Sequence, residues 1–138
     1  MNCLNKTRIL FVGSNPSNSS LTDAAFHGST RSSKILTGWC SYINNATFIH
    51  VNVLNKKTHK NRSLTKREIL DSISSLKENI DGIRPDKIVA LGKTASVALT
   101  LLHVDFFEMP HPSGRNRLLN NKDYISKKIN ELCLYCSD

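Results

Sequence analysis

Four short apolar runs alternate along the chain with segments of helical spacing, and this alternation limits the fold more than any other feature. Arg8–Val12 (RILFV) is a compact run ending at Gly13 and reads as a buried parallel strand. Thr47–Leu54 alternates and is rich in β-branched residues, which suit a pleated, half-buried surface. Lys87–Leu91 (KIVAL) reads as a third strand ended by Gly92, and Asp105–Met109 as a fourth ended by Pro110. Between them, Ile35, Leu36, Trp39, Cys40 and Ile43 recur at helical spacing within Ser32–Ile43. Thr65–Ile80 is a second helix, with Thr65 and Glu68 forming a capping box and Ile69, Ile73, Leu76 and Ile80 along one face. Thr94–Leu102 is an Ala- and Leu-rich helix, and Asp123–Tyr135 is a last helix, basic on one side and apolar on the other. The order β-α-β-α-β-α-β-α predicts an α/β fold, a three-layer α/β/α sandwich. Right-handed crossovers leave few topologies for its central four-stranded parallel sheet, and the expected strand order is 2-1-3-4.

A chain of 138 residues with no internal repeat or linker fits one domain, residues 1–138. With 39% hydrophobic and 22% charged residues it can bury a modest core and needs no disulfide to fold. No apolar run approaches the ~18–20 residues of a membrane span. Met1–Thr7 is polar and lacks the apolar centre of a signal peptide. The expectation is a cytoplasmic protein with reduced thiols and no membrane partner. Cys133 and Cys136 form a C-x-x-C, a spacing used for metals and redox pairs, but it falls within the last helix. Cys3 and Cys40 show no matching spacing, so the expectation is free, partly buried thiols and no metal.

The formal net charge of +8 favours a polyanionic partner, most simply nucleic acid, although solubility alone is the plainer reading. The basic residues cluster: Lys56, Lys57, Lys60, Arg62, Lys66 and Arg67 in one stretch, Arg115 and Arg117 in another.

In open α/β sheets, ligands bind beyond the carboxyl ends of the strands, where strand order reverses. Here those ends are Gly13–Ser17, Asn52–Asn55, Gly92–Lys93 and Pro110–Arg117, the segments richest in Gly, Pro, Asn and His. In Gly13-Ser14-Asn15-Pro16-Ser17 the glycine permits close approach of a ligand to backbone, and the Asn15 amide can orient a water; such loops also serve simply as turns. In His111-Pro112-Ser113-Gly114-Arg115-Asn116-Arg117 the histidine is placed to donate to a developing anion. Backbone N–H groups around Ser113 and Gly114 suit a phosphate, and Arg115 and Arg117 suit a DNA backbone. The plain alternative for His111 is a turn histidine bonded to a backbone carbonyl.

Taken together, these segments resemble the uracil-DNA glycosylase superfamily. GSNPS is similar to its water-activating loop, in the version with Asn third that marks the mismatch-specific and single-strand-selective branches. HPSGRNR resembles its second signature, the His-Pro-Ser loop that touches the minor groove. The middle of the chain resembles the thermostable iron–sulfur branch: Asn52-Val53 followed by Asn61-Arg62 and Thr65, then Val89–Ala95 (VALGKTA) as third strand and helix start. Ala25-Phe26 resembles the stretch that supplies the stacking aromatic. The resemblance runs from Arg8 to about Tyr124.

It implies a DNA glycosylase, acting as a monomer without metal or nucleotide cofactor on uracil or another modified base flipped from DNA. Asn15 and His111 would be catalytic, positioning the attacking water and stabilising the departing base anion. Gly13, Ser14 and Pro16 would line the base pocket, Phe26 would stack on the base, and Asn52 would read its Watson–Crick edge. Ser17, Lys93, Ser113, Gly114, Arg115 and Arg117 would contact DNA. Phe26 as a core residue and Asn52 as a strand-end cap are the plain alternatives.

The chain departs from the pattern in three ways. GSNPS carries no carboxylate, and Asn is not a general base. The cysteine spacing does not match the iron–sulfur branch, so no cluster is carried over. The chain is also short for the superfamily. A non-catalytic module binding a free base, a nucleotide or DNA, as sensor, sponge or inhibitor, therefore stays open. So does a pyrimidine-directed activity on hypermodified DNA. The size and the Asn-, Lys- and Ser-rich composition fit a compact, A+T-rich genome such as a phage's.

Overall fold

The computed structural model describes residues 6–15, 31–56, 58, 62–112 and 116–137, leaving aside the side chain of Arg31. Four strands, β1 (Thr7–Gly13), β2 (Ala46–Asn52), β3 (Lys87–Leu91) and β4 (Phe107–Met109), form one sheet in the order β2-β1-β3-β4. Every pairing is parallel. Among the described residues four helices connect and cover them: α1 (Arg31–Cys40), α2 (Lys66–Ile83), α3 (Lys93–Leu101) and α4 (Lys122–Ser137). The expected fold and strand order are therefore observed.

The two central strands carry the least polar sequences. Ile9, Leu10, Phe11 and Val12 are fully buried, as are Val89 and Ala90, because helices cover both faces. The pleat sends alternate residues to opposite layers. Ile9, Phe11, Val89 and Leu91 pack with Leu36 and Trp39 of α1 and Leu132 of α4. Leu10, Val12, Ile88 and Ala90 pack with Ile69, Leu76 and Ile80 of α2 and Ala95, Ala98 and Leu99 of α3. With α2 and α3 on one face and α1 and α4 on the other, all the crossovers share one hand, as the usual right-handed rule requires.

Helix α2 starts as its sequence predicts. The Thr65 hydroxyl accepts from the Glu68 N–H at 3.1 Å, and the Glu68 carboxylate accepts from the Thr65 N–H at 2.8 Å. Strand β4 is shorter than the predicted 105–109, because Phe106 packs into the α2–α3 layer and only Phe107–Met109 pair with β3. Tyr135 of α4 stacks on Phe107 with ring centroids 5.4 Å apart, which covers that edge strand. Among the described residues, one element has no counterpart in the sequence-based expectations, a 3₁₀ turn at Arg117–Asn120.

All four carboxyl strand ends share one edge of the sheet. The chain leaves β1 for β2 on one side and β3 for β4 on the other, so order reverses between β1 and β3. A crevice is expected at that point.

Candidate functional site

The first half of the site is built by β1, β2 and the loop after β2. Gly13 sits opposite Asn52 in register. The ladder continues past both strand ends, with Val53 N–H donating to Gly13 O at 2.9 Å and Leu54 N–H to Ser14 O at 3.0 Å. These bonds fix Ser14 and Asn15 against residues 53–58. Among the described residues the Asn15 amide then makes three contacts. Its Nδ2 donates to Lys56 O at 3.1 Å and to Thr58 Oγ1 at 3.4 Å, and its Oδ1 accepts from Ser14 Oγ at 3.0 Å.

Asn52 is 5% exposed, and its Nδ2 has no hydrogen-bond partner among the described residues. Burying an amide N–H without an acceptor costs about 1–3 kcal/mol. The pleat puts Asn52 on the same face as His50 and Phe48, the α1 side of the sheet. His50 stacks on Phe11 at 5.7 Å between ring centroids, and burial lowers its pKa.

The second half comes from β3, β4 and the loop that follows. Gly92 has φ +94° and ψ −179°, a conformation open essentially to glycine alone. Its N–H donates to Met109 O at 2.9 Å, tying the two strand ends together. A Cβ at position 92 would lie 3.0 Å from the His111 Cβ and 3.5 Å from its Cδ2, so the missing side chain is the space the histidine occupies. His111 is half-buried, and burial lowers its pKa below the ordinary 6.5. Its imidazole is thus neutral at pH 7. Among the described residues no hydrogen bond reaches its ring. Its backbone carbonyl accepts from Asn116 Nδ2 at 3.0 Å, while Asn116 Oδ1 accepts from Leu118 N–H at 3.1 Å. One asparagine side chain thus bridges His111 and the 3₁₀ turn that begins at Arg117.

Among the described candidates, Gly13, Ser14, Asn15 and Asn52 form one cluster. His111 stands at the neighbouring pair of strand ends, and Lys93, the first residue of α3, is exposed on that same edge. Arg117 opens the 3₁₀ turn and is exposed. Pro16, Ser17, Phe26, Ser113, Gly114 and Arg115 lie outside the described residues. Of the basic stretch after β2, Lys56, Lys66 and Arg67 are exposed, but Arg62 is committed: its guanidinium grips both Glu68 oxygens at 2.7 and 3.0 Å. It belongs to the loop's framework, not to the cations free for a polyanion.

Three residues that the sequence patterns do not assign take part in this framework. Gly92 is legible as a strand terminator, but its contact with His111 is not. Asn116 stands where asparagine often closes a turn. Thr58 carries no local signal.

At the amino-terminal end of the sheet, an open groove of about 510 Å³ runs between Tyr42–Asn44 and Cys133–Ser137, remote from these loops. Burial pushes the thiol of Cys136, which lines the groove, up to about 11, and that of Cys40 up to about 12. No described helix is long and apolar enough to cross a membrane.

The family model described as the uracil DNA glycosylase superfamily matches residues 2–133. A comparison with curated proteins finds no match.

Proposed function

The chain belongs to the uracil DNA glycosylase superfamily, and from that premise we propose that it hydrolyses the N-glycosidic bond of uracil or a related modified base flipped out of DNA. The observation that carries this reading is the buried, unpartnered amide N–H of Asn52 at the ligand-binding edge, beside the Asn15 loop. A donor held out of water at that cost calls for an acceptor supplied by a ligand. The exocyclic O4 of uracil is such an acceptor, and the Asn52 carbonyl oxygen complements the neighbouring N3–H. Cytosine presents an amino group and an unprotonated N3 there, so the same amide discriminates against it.

The remaining roles follow from chemistry. Extruding a base from the stack costs roughly a few kcal/mol. Stacking on an aromatic, the role assigned to Phe26, returns roughly 1–3 kcal/mol. Bond cleavage leaves negative charge on the base, and the neutral imidazole of His111 supplies an N–H to it. Asn15 orients the water that attacks the sugar carbon; it acts by position, since an amide takes no proton. Lys93, Arg117 and the flanking Ser17, Ser113, Gly114 and Arg115 contact the DNA backbone. These roles call for no metal or nucleotide cofactor.

A second reading is a non-catalytic base- or DNA-binding module, favoured by the amide in place of a carboxylate at position 15. One assay separates them. Oligonucleotides carrying uracil, hypoxanthine or hydroxymethyluracil are incubated with the protein and scored for alkali-labile abasic sites. Excision of any of these establishes the glycosylase. Tight binding of the same strands without strand breaks establishes the module.

A further inference from the structure

We propose that Thr58 is a positioning residue that fixes the Asn15 amide with its carbonyl oxygen as the open acceptor, and that the Arg62–Glu68 pair holds Thr58 in place. A primary amide has two faces of opposite character, and its action on a water depends on which is presented. With Oδ1 presented, a water donates a hydrogen to the amide and keeps its lone pairs for the electrophile. With Nδ2 presented, the water gives a lone pair to the amide and its nucleophilicity falls.

The hydrogen bonds around Asn15 decide between the two. Lys56 O is an acceptor only, so it takes Nδ2 and repels Oδ1. A threonine hydroxyl can bond either end, but that of Thr58 has already placed its single proton on Arg62 O at 2.6 Å. What it turns toward Asn15 is a lone pair, and the 3.4 Å contact therefore takes Nδ2 as well. Both protons of the amide are consumed on the loop side. A flipped amide would set Oδ1 against two acceptors. On the other side Ser14 Oγ occupies one lone pair of Oδ1, at 3.0 Å, and among the described residues nothing takes the second, which is the one a water would use.

Thr58 is held in turn from α2. It is 6% exposed, which removes water as a competing partner for its hydroxyl. Arg62, whose carbonyl receives the Thr58 proton, is clamped by both oxygens of Glu68 and also donates to Ser63 O at 3.0 Å. Glu68 is itself fixed through the capping box at Thr65. The start of a helix in one layer thus sets the orientation of a side chain beyond the end of β1.

The consequence for rate rests on the glycosylase reading; the orientation itself is a property of the free protein and is tested separately. In side-chain NMR spectra of the wild-type protein, the Asn15 NH2 protons should exchange with solvent at least tenfold more slowly than those of exposed Asn44. Thr58→Val, which keeps the shape and removes the hydroxyl, should shift that resonance and speed its exchange, and Thr58→Ser should restore it. In single-turnover excision, Thr58→Val should lower the rate about tenfold, as expected for one lost hydrogen bond. Affinity for DNA carrying a non-cleavable analogue should stay unchanged, and Thr58→Ser should recover most of the rate. An Asn15 NH2 that exchanges like that of Asn44 in the wild type overturns the proposal whatever the catalytic outcome. So does a Thr58→Val rate within twofold of wild type. Absence of excision by the wild type, with a protected and Thr58-dependent Asn15 amide, sinks the glycosylase reading and leaves the orientation device standing.

Discussion

Each candidate side chain is set apart by one unusual feature of its bonding. Asn15 is saturated on its donor side, Asn52 is starved on its own, and His111 is half-buried with no hydrogen bond to its ring among the described residues. These differences lead to different variant phenotypes. His111→Ala should lower the single-turnover rate by about 10²-fold, the usual effect of removing a donor to a developing anion. Asn15→Ala should also lower it, and neither should weaken binding of a non-cleavable analogue, because their interactions strengthen only in the transition state. Asn52→Ala should erode discrimination between uracil and cytosine, seen as a fall in the ratio of their kcat/KM values. Asn52→Leu gives a second check without substrate. It removes a buried donor that lacks an acceptor, so the free protein should become more stable by about 1 kcal/mol while base recognition is lost. Thermal unfolding of the two proteins measures this, and a large destabilisation by Asn52→Leu would show that the amide is structurally satisfied.

The elements matter chiefly through their ends. Strand β3 stops at Gly92 with a backbone that other residues adopt only under strain, and the space beside that glycine holds His111. Gly92→Ala should therefore cost roughly 1–3 kcal/mol of stability from the backbone alone. It should also push His111 away from its place and lower excision beyond the effect of stability. At Gly38, in α1, an added methyl group would meet nothing within 4 Å, so Gly38→Ala should stabilise by up to about 1 kcal/mol and leave excision unchanged. Equal effects of the two substitutions on the excision rate would remove Gly92 from the site. The shortness of β4 has the same logic: pairing stops at Met109 opposite Leu91, two residues before His111, whose carbonyl the Asn116 side chain then holds.

For the protein taken as one body, charge and protonation give two measurable properties. Exposed cations at Lys56, Lys66, Lys93 and Arg117 lie in or beside the loops beyond the carboxyl strand ends, on a chain with net charge +8. DNA affinity should fall with salt, by a slope of about 0.9 per phosphate neutralised on duplex. Arg117→Ala should make that slope shallower by about 1, whereas Arg62→Ala should act mainly on stability because Arg62 is bound to Glu68. A slope unchanged by Arg117→Ala would take Arg117 off the DNA path. Stability should depend on pH in one direction. Burial lowers the pKa of His50 and of His111 from 6.5, and the Arg62 contact with Thr65 capping holds Glu68 down at about 2, against 4.5. For each group the folded value is below the unfolded one, so the unfolded chain binds more protons as pH falls. The contribution of the histidines is whole above about 6.5 and is lost as pH drops through their folded values. That of Glu68 is whole above about 4.5 and is lost toward 2. Denaturant unfolding from pH 8 to pH 4 should show a plateau and then a decline, and rising stability below pH 6 would contradict the assignments.

The four strands, the four helices, their order and the edge of the sheet proposed as the site are legible in the amino-acid sequence. Those are consequences of short-range physics: RILFV and KIVAL are too apolar to be anything but covered strands, Thr65 and Glu68 cap a helix three residues apart, and right-handed crossovers permit few sheets. The motifs at Gly13–Asn15 and His111 are legible there too, because a turn leaving a strand must be written in glycine, proline and asparagine. What the sequence does not contain is which side chains meet. Thr58 reaches Asn15 across 43 positions, and Gly92 makes room for His111 across a sheet pairing. The empty donor of Asn52 and the commitment of Arg62 to Glu68 are likewise matters of who stands beside whom. Folding in three dimensions settles these, since a hydrogen bond or a close contact depends on distances of a few ångströms that periodicity and propensity do not encode.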